Sequence, residues 1–313
     1  MRKTTYVIVG VLVAVIIVAA VVTGLYLNNN KGTTSSSTLQ VLTTFYPIYD
    51  FAQNVGGDKV NVSLLVPETV DVHDFEPTPS DIAKVSSADV LIYSGAGLEP
   101  WIQDVISAAG SSHLITVDTS QGITLIPVSA QFQQDNRTID PHIWLNPENA
   151  KQQVNNILQG LIKADPTDAS YFTQNANAYQ SKLDELNTEA INATTNTATN
   201  VFITFHEAFA YFAHQYNVTQ LSILGPFEEE PTPTDIQNVV TTINQYHLKY
   251  VGYESLENPA IAQSIGSQTN ATLINMNPIE GLTTQEKANG DNYISLMKQD
   301  IANIHLALST VGS

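Results

Sequence analysis

Asp140-Pro141-His142-Ile143-Trp144-Leu145-Asn146-Pro147-Glu148 decides how this 313-residue chain folds. His142 stands in a loop after an apolar, strand-like run, where a side chain can face a cleft. A helix starts directly behind it. Asn146 suits the N-cap, Pro147 the first helical position and Glu148 the first turn. From there to about Ala193 the pattern is helical, interrupted at Asp165-Pro166. Strand-like runs lie on both sides. The stretch therefore closes one lobe, opens a helical connector and leaves a histidine near the junction.

Upstream, Leu39–Phe45, Val60–Val66, Asp89–Ser94 and His113–Val117 are short β-branched runs. Helical patterns fall between them at Pro47–Val55, Ser80–Ser86 and Glu99–Ala109. Downstream, strands are expected at Val201–Phe205, Leu221–Leu224, Tyr250–Tyr253 and Thr272–Met276. Helices are expected at Glu207–Tyr216, Thr234–Tyr246 and Pro259–Gln268, with a long closing helix over Thr284–Leu308. Strands alternating with helices argue for βαβ units and parallel sheets. The expected fold class is α/β, with two lobes, each a four-stranded parallel sheet flanked by helices, joined by a long helix. Glu76-Pro77-Thr78-Pro79-Ser80-Asp81 recurs as Glu230-Pro231-Thr232-Pro233-Thr234-Asp235, each copy opening a helix with Ser80 or Thr234 as the candidate cap. A shared fold in the two halves accounts for that echo.

Twelve Lys plus Arg stand against 30 Asp plus Glu, a net charge of -18. Such a surface repels nucleic acid and draws cations. The absence of cysteine excludes disulfides, thiolate metal sites and a lipid-modified N-terminal cysteine. Tyr6–Leu27 is uncharged and rich in Val, Ile and Ala, behind Arg2 and Lys3. A signal peptide carries an apolar region of ~7–15 residues, whereas a spanning helix needs ~20. Residues 1–27 are thus expected as an uncleaved anchor and 28–38 as a Ser/Thr/Asn-rich linker. The N-terminal lobe is expected over 39–165, the connecting helix over 166–193 and the C-terminal lobe over 194–313. Sequons at Asn61, Asn136, Asn192, Asn217 and Asn270 fit a body outside the membrane.

In open parallel sheets, ligands bind beyond the carboxyl ends of strands. His73 follows the second strand, His142 the fourth, and His206 the first strand of the second half. Neutral imidazoles gathered there suit a metal such as zinc, copper, iron or nickel. Asp74, Glu207, Glu254 and Glu280 are carboxylates near the same edge. Glu254 can ligate or can hydrogen-bond a ligand histidine, and Asp140 can orient His142. His113, His214, His247 and His305 fall on helices or strand starts and are set aside. No G-x-S-x-G elbow, H-E-x-x-H or phosphate-cradling glycine loop is present.

The runs His73-x-Phe75-Glu76-Pro77-Thr78-Pro79-Ser80-Asp81, Ser94-Gly95-Ala96-Gly97-Leu98-Glu99-Pro100-Trp101, Asp140–Ala150 and Thr204-Phe205-His206-Glu207-Ala208-Phe209 resemble the zinc/manganese solute-binding proteins of metal-ion ABC importers, the cluster A-I substrate-binding proteins. The resemblance covers Leu39 to Leu308. It implies two α/β lobes joined by a rigid helix, with a metal ion held between them by His73, His142 and His206. The family's fourth ligand is commonly an Asp after the last strand. Asn277 stands at the matching position and is the expected fourth ligand, with Glu254 the other candidate. The resemblance further implies a receptor rather than an enzyme. It would be monomeric, would hold Zn²⁺ (alternatively Mn²⁺), and would hand it to a metal-ion ABC permease at the outer face of the membrane. A surface adhesin stabilised by the same metal and a three-histidine zinc hydrolase are the rival readings.

Overall fold

A computed structural model of the chain describes residues 38–128, 137–227 and 231–310. The expected anchor Tyr6–Leu27, the sequon at Asn136 and Glu228–Glu230 lie outside the described residues. Among the described residues, no helix is long and apolar enough to cross a membrane.

The first half alternates strand and helix as expected. β1 (Leu39–Thr43), α1 (Tyr46–Gly56), β2 (Val60–Leu64), α2 (Pro79–Ser87), β3 (Val90–Tyr93), α3 (Ile102–Ala109) and β4 (Ile115–Asp118) follow one another. The four strands pair in parallel in the order β2-β1-β3-β4. Val41 sits opposite both Val62 and Val90 in this register. Val90, Leu91 and Ile92 are fully buried in succession, as in a sheet covered on both faces.

Two helices form the middle, α4 (Pro147–Ala164) and α5 (Ala169–Thr194), with a short 3₁₀ turn at Pro166–Asp168 between them. Asn146 is the N-cap of α4, its side chain accepting from the Glu148 N–H at 2.9 Å. The 26 residues of α5 give a rod of ~39 Å at ~1.5 Å per residue. Phe172, Ala176, Tyr179, Leu183, Leu186, Ala190 and Ala193 form its buried stripe. Steps of three and four residues keep these on one face. That face packs on α1 and α4 of the first half and on the closing helix α10 (Tyr293–Ser309) of the second. Truncating Leu183 there would cost about 2–5 kcal/mol.

The second half repeats the plan with β5 (Val201–His206), α6 (Ala210–Tyr216), β6 (Thr219–Leu224), α7 (Pro233–Tyr246), β7 (Tyr250–Tyr253), α8 (Ala260–Thr269) and β8 (Thr272–Asn275). Its hydrogen-bonded ladders are two parallel pairs, β5-β6 and β7-β8. β7 lies alongside β5, which gives the strand sequence β6-β5-β7-β8 and matches the first half. The two pairs meet at Gly252, where a Cβ would stand 2.8 Å from the Ile203 carbonyl oxygen.

Three local expectations are corrected. The caps of α2 and α7 are Thr78 and Thr232, not Ser80 and Thr234. Each forms a reciprocal capping box, with Asp81 and Asp235 respectively. Proline at the first helical position lacks only an N–H that would be unpaired there, so the cap falls on the residue before it. The closing segment is two helices, α9 (Thr284–Asn289) and α10. Gly290 in the left-handed region (φ +77°) stops the first, and an Asn292 capping box starts the second.

Candidate metal centre

His206 ends β5, His73 lies in the loop after β2, and His142 opens a 3₁₀ turn at Ile143–Leu145 after β4. These three arrive from the carboxyl ends of strands in both halves and meet. The Nε2 atoms of His73 and His142 are 3.3 Å apart, and those of His142 and His206 are 3.2 Å apart. Glu280, in the loop after β8, completes the group. Its Oε1 is 3.2 Å from the Nε2 of His73, 3.2 Å from that of His142 and 3.8 Å from that of His206. One potential ligand atom from each of the four lies within 4.8 Å of the others.

The chemistry of this donor set fits a cation. Four-coordinate zinc with bonds of ~2.0–2.1 Å has donor–donor edges of ~3.3–3.4 Å, close to the nitrogen separations here. Three imidazole nitrogens and a carboxylate oxygen converge at a buried point. His142 and His206 are 0 % exposed and the His73 side chain 2 %.

Carboxylates behind the rings fix their orientation. Asp140 Oδ1 accepts from the backbone N–H of His142 at 2.9 Å and from its Nδ1–H at 2.8 Å. Glu254 Oε1 accepts from the backbone N–H of His206 at 3.0 Å and from its Nδ1–H at 2.7 Å. Protonated Nδ1 leaves each Nε2 lone pair aimed at the centre. Asp71 Oδ1 accepts from the His73 backbone N–H at 2.7 Å and shapes that loop. Burial lowers the basicity of the His142 ring, but the Asp140 charge and hydrogen bond outweigh it and raise its pKa above 6.5. Burial would raise the Glu280 carboxyl, yet the facing histidines, His73 foremost, hold it well below the usual range. Glu207 lies just outside the cluster, and burial, followed by the Asp140 charge, pushes it up to about 7.

The structure thus brings His73, His142 and His206 together and places the other two candidates differently. Glu254 stands behind His206 rather than in the cluster. Asn277 has both ends of its amide engaged elsewhere: Oδ1 accepts from the Ile279 N–H at 2.8 Å, and Nδ2 donates to Glu286 Oε1 at 2.9 Å. Glu280 occupies the fourth corner. Its presence near the strand ends was legible, but its entry into the cluster depends on the turn before it. There Ile279 takes a left-handed conformation (φ +61°) that an isoleucine rarely adopts. Gly281 follows, at a point where a Cβ would stand 2.0 Å from the Glu68 carbonyl oxygen. Only glycine fits between the two loops. A cavity of about 200 Å³ lined by Val70, Asp71, Glu254, Leu256, Asn277 and Glu280 touches the cluster at Glu280.

Comparison with known proteins agrees with this architecture. Residues 41–307 match the model of the ZnuA family, described as zinc-uptake complex component A, periplasmic. The chain is 32% identical over 285 residues to the high-affinity zinc uptake system protein ZnuA of Bacillus subtilis, covering 88% of this chain and 89% of that protein. It is 30% identical over 305 residues to the zinc-binding protein AdcA of Streptococcus pyogenes, covering 91% of this chain but 59% of AdcA. Among solved structures, the laminin-binding protein Lmb of Streptococcus agalactiae superposes with a TM-score of 0.78 at 27% identity, over 87% of this chain and 100% of Lmb. That structure is described as a bifunctional protein with adhesin and metal transporting activity. With a family match over most of its length and a relative above 30% identity, this chain belongs to the zinc-uptake complex component A (ZnuA) family.

Proposed function

We propose that this protein is an extracytoplasmic receptor that captures a divalent cation, zinc, and delivers it to the permease of an ABC importer. The observation that carries this reading is the set of three imidazole nitrogens and one carboxylate oxygen, buried at the separations of a tetrahedral site. His73, His142, His206 and Glu280 are the proposed ligands, with Asp140 and Glu254 as their supports. Nitrogen-rich sites bind zinc above manganese in the divalent affinity order, and manganese favours oxygen donors. The zinc uptake and zinc-binding relatives support the same metal. No bond is made or broken in this role. The protein acts as a monomer, with lobes at 39–165 and 194–313 on the connector 166–193, and the Tyr6–Leu27 segment holds it at the outer face of the membrane.

Elemental analysis and competition titration test the reading. Protein purified without added metal is expected to carry a single zinc per chain, and zinc to outcompete manganese by orders of magnitude. His142→Ala should lose tight zinc binding. Comparable zinc and manganese affinities in the parent, or unchanged zinc affinity in His142→Ala, would overturn it.

The likeness to Lmb supports a second role as an adhesin. Growth under zinc limitation separates the two. A deletion strain rescued by added zinc points to transport, whereas loss of surface binding with normal zinc-limited growth points to adhesion.

A further inference from the structure

We infer that Asn277 is a positioning residue that, together with Trp144, sets the turn presenting Glu280 to the three histidines. The inference rests on the ligand role proposed for Glu280 and concerns what holds that carboxylate in place.

Four residues, Met276, Asn277, Pro278 and Ile279, separate the end of β8 from Glu280, and nearly every polar group among them is committed. The Asn277 N–H donates to Asp300 Oδ1 on α10 at 2.8 Å. Its side-chain oxygen accepts from the Ile279 N–H at 2.8 Å, and its side-chain NH₂ donates to Glu286 Oε1 at 2.9 Å. Glu286 is itself fixed as the reciprocal partner of Thr283 in the capping box of α9. The Asn277 amide therefore cannot flip without losing both bonds. Between them, the Pro278 carbonyl accepts from Trp144 Nε1 at 2.7 Å.

These bonds explain the backbone of Ile279. A β-branched residue enters the left-handed region only where its surroundings over-determine it. Ile279 is fully buried at φ +61°, with its N–H held by the Asn277 oxygen. In an extended conformation the chain would continue along β8 and carry Glu280 away from the cluster. The left-handed step turns it inward. Trp144 links this turn to the other half of the molecule. It lies two residues after His142 in the same 3₁₀ turn, is 0 % exposed, and packs edge-on against Phe45 at 4.7 Å. One rigid side chain thus references the position of Glu280 to that of His142.

An oxygen is needed opposite the Ile279 N–H, so Asn277→Ala removes the support. Asn277→Asp keeps an acceptor there but sets a carboxylate against Glu286 in place of a donor. A double-mutant cycle on zinc affinity, read by chelator competition, tests the proposal. Asn277→Ala should weaken zinc about 10–100-fold, the range for losing a partner of a metal ligand. Glu280→Gln should weaken it at least as much. Adding Asn277→Ala to Glu280→Gln should cost little more, because the carboxylate it positions is gone. Asn277→Asp should recover part of the loss. Trp144→Phe keeps the ring and removes the donor, so it should also lose its effect in the Glu280→Gln background. It carries the same cycle if Asn277→Ala does not fold. Equal losses from Asn277→Ala and Trp144→Phe with and without the Glu280 carboxylate would overturn this inference alone. Undiminished zinc affinity in Glu280→Gln would overturn the ligand role of Glu280, and this inference with it.

Discussion

Both halves of the molecule place a buried carboxylate beyond the third strand and aim it at the end of the first. In the first half Glu99 Oε1 accepts from the Thr44 hydroxyl and from the Ser94 N–H at 2.8 Å, while Oε2 accepts from the Gly95 N–H at 3.1 Å. In the second half Glu254 Oε1 accepts from the N–H and Nδ1–H of His206. Glu99 stands six residues past its strand and Glu254 one past its own, yet both reach the end of the first strand, and the consequence differs. Opposite a threonine, the carboxylate only ties one loop to one strand. Opposite a histidine, it fixes a tautomer and points a lone pair at the centre of a site. The repeated fold supplies the support twice, and the residue at the end of the first strand determines what it supports.

The contrast can be broken in three ways. The largest effect should come from the strand ends. His206→Ala should weaken zinc by more than the roughly 100-fold upper range for losing an outer partner, while Thr44→Val leaves zinc affinity as it was. If both variants bind zinc like the parent, the site is not where the histidines meet. Next, Glu254→Ala should weaken zinc about 10–100-fold. Glu99→Ala should leave zinc affinity alone and lower the melting temperature instead. It strands two backbone N–H groups, at about 1–3 kcal/mol for each group left unsatisfied. A matching zinc loss in Glu99→Ala would erase the distinction between the halves.

The smallest effect is on pH dependence. Burial, opposed by its hydrogen bonds, pushes Glu99 from the ordinary 4.5 up to about 7. Between those values the folded protein holds a proton that the unfolded chain has released. The Glu99 contribution to stability should therefore fall as pH rises from 4.5 to 7 and stay level above that, a change on the order of 3 kcal/mol. Metal-free Glu99→Gln should lack that slope when unfolding is followed by denaturant at pH 5 and pH 7.5. Parallel pH profiles for parent and variant would show that Glu99 is ionised throughout.

How much of this was legible in the sequence follows distance along the chain. The strand and helix alternation, the Asn146 cap and the placement of His73, His142 and His206 at strand ends all rest on local pattern. So does the Asp140–His142 pair, two residues apart. Glu254 reaches His206 across 48 positions, and the sequence left open whether it would ligate or support. Asn277 was the expected fourth donor only because the family resemblance puts a ligand at that position. In the structure Glu280, not Asn277, stands beside the three histidines, after a left-handed isoleucine at position 279, and no sequence rule anticipates φ > 0 at a β-branched residue. The split of the closing helix at Gly290 was available from the glycine and the Asn292 cap. The pairing of β5–β8 as two ladders was not, since strand runs do not encode which edges hydrogen-bond.

The connector α5 contains neither glycine nor proline across its 26 residues and is buried along one face against both halves. Sharp bends in helices occur at proline, at glycine or serine pairs, or at inserted turns, and α5 offers no such joint. Any movement of one half against the other would have to fall outside α5; beside the cluster, Gly281 meets the Glu68 carbonyl and Lys287 on α9 pairs with Glu68. In the proposed receptor role, so stiff a connector would leave a docking partner nearly the same outline on the empty and the filled protein. What such a partner could read is a small patch of loop beside the ion, so the message that cargo is present would be written in surface texture rather than in shape.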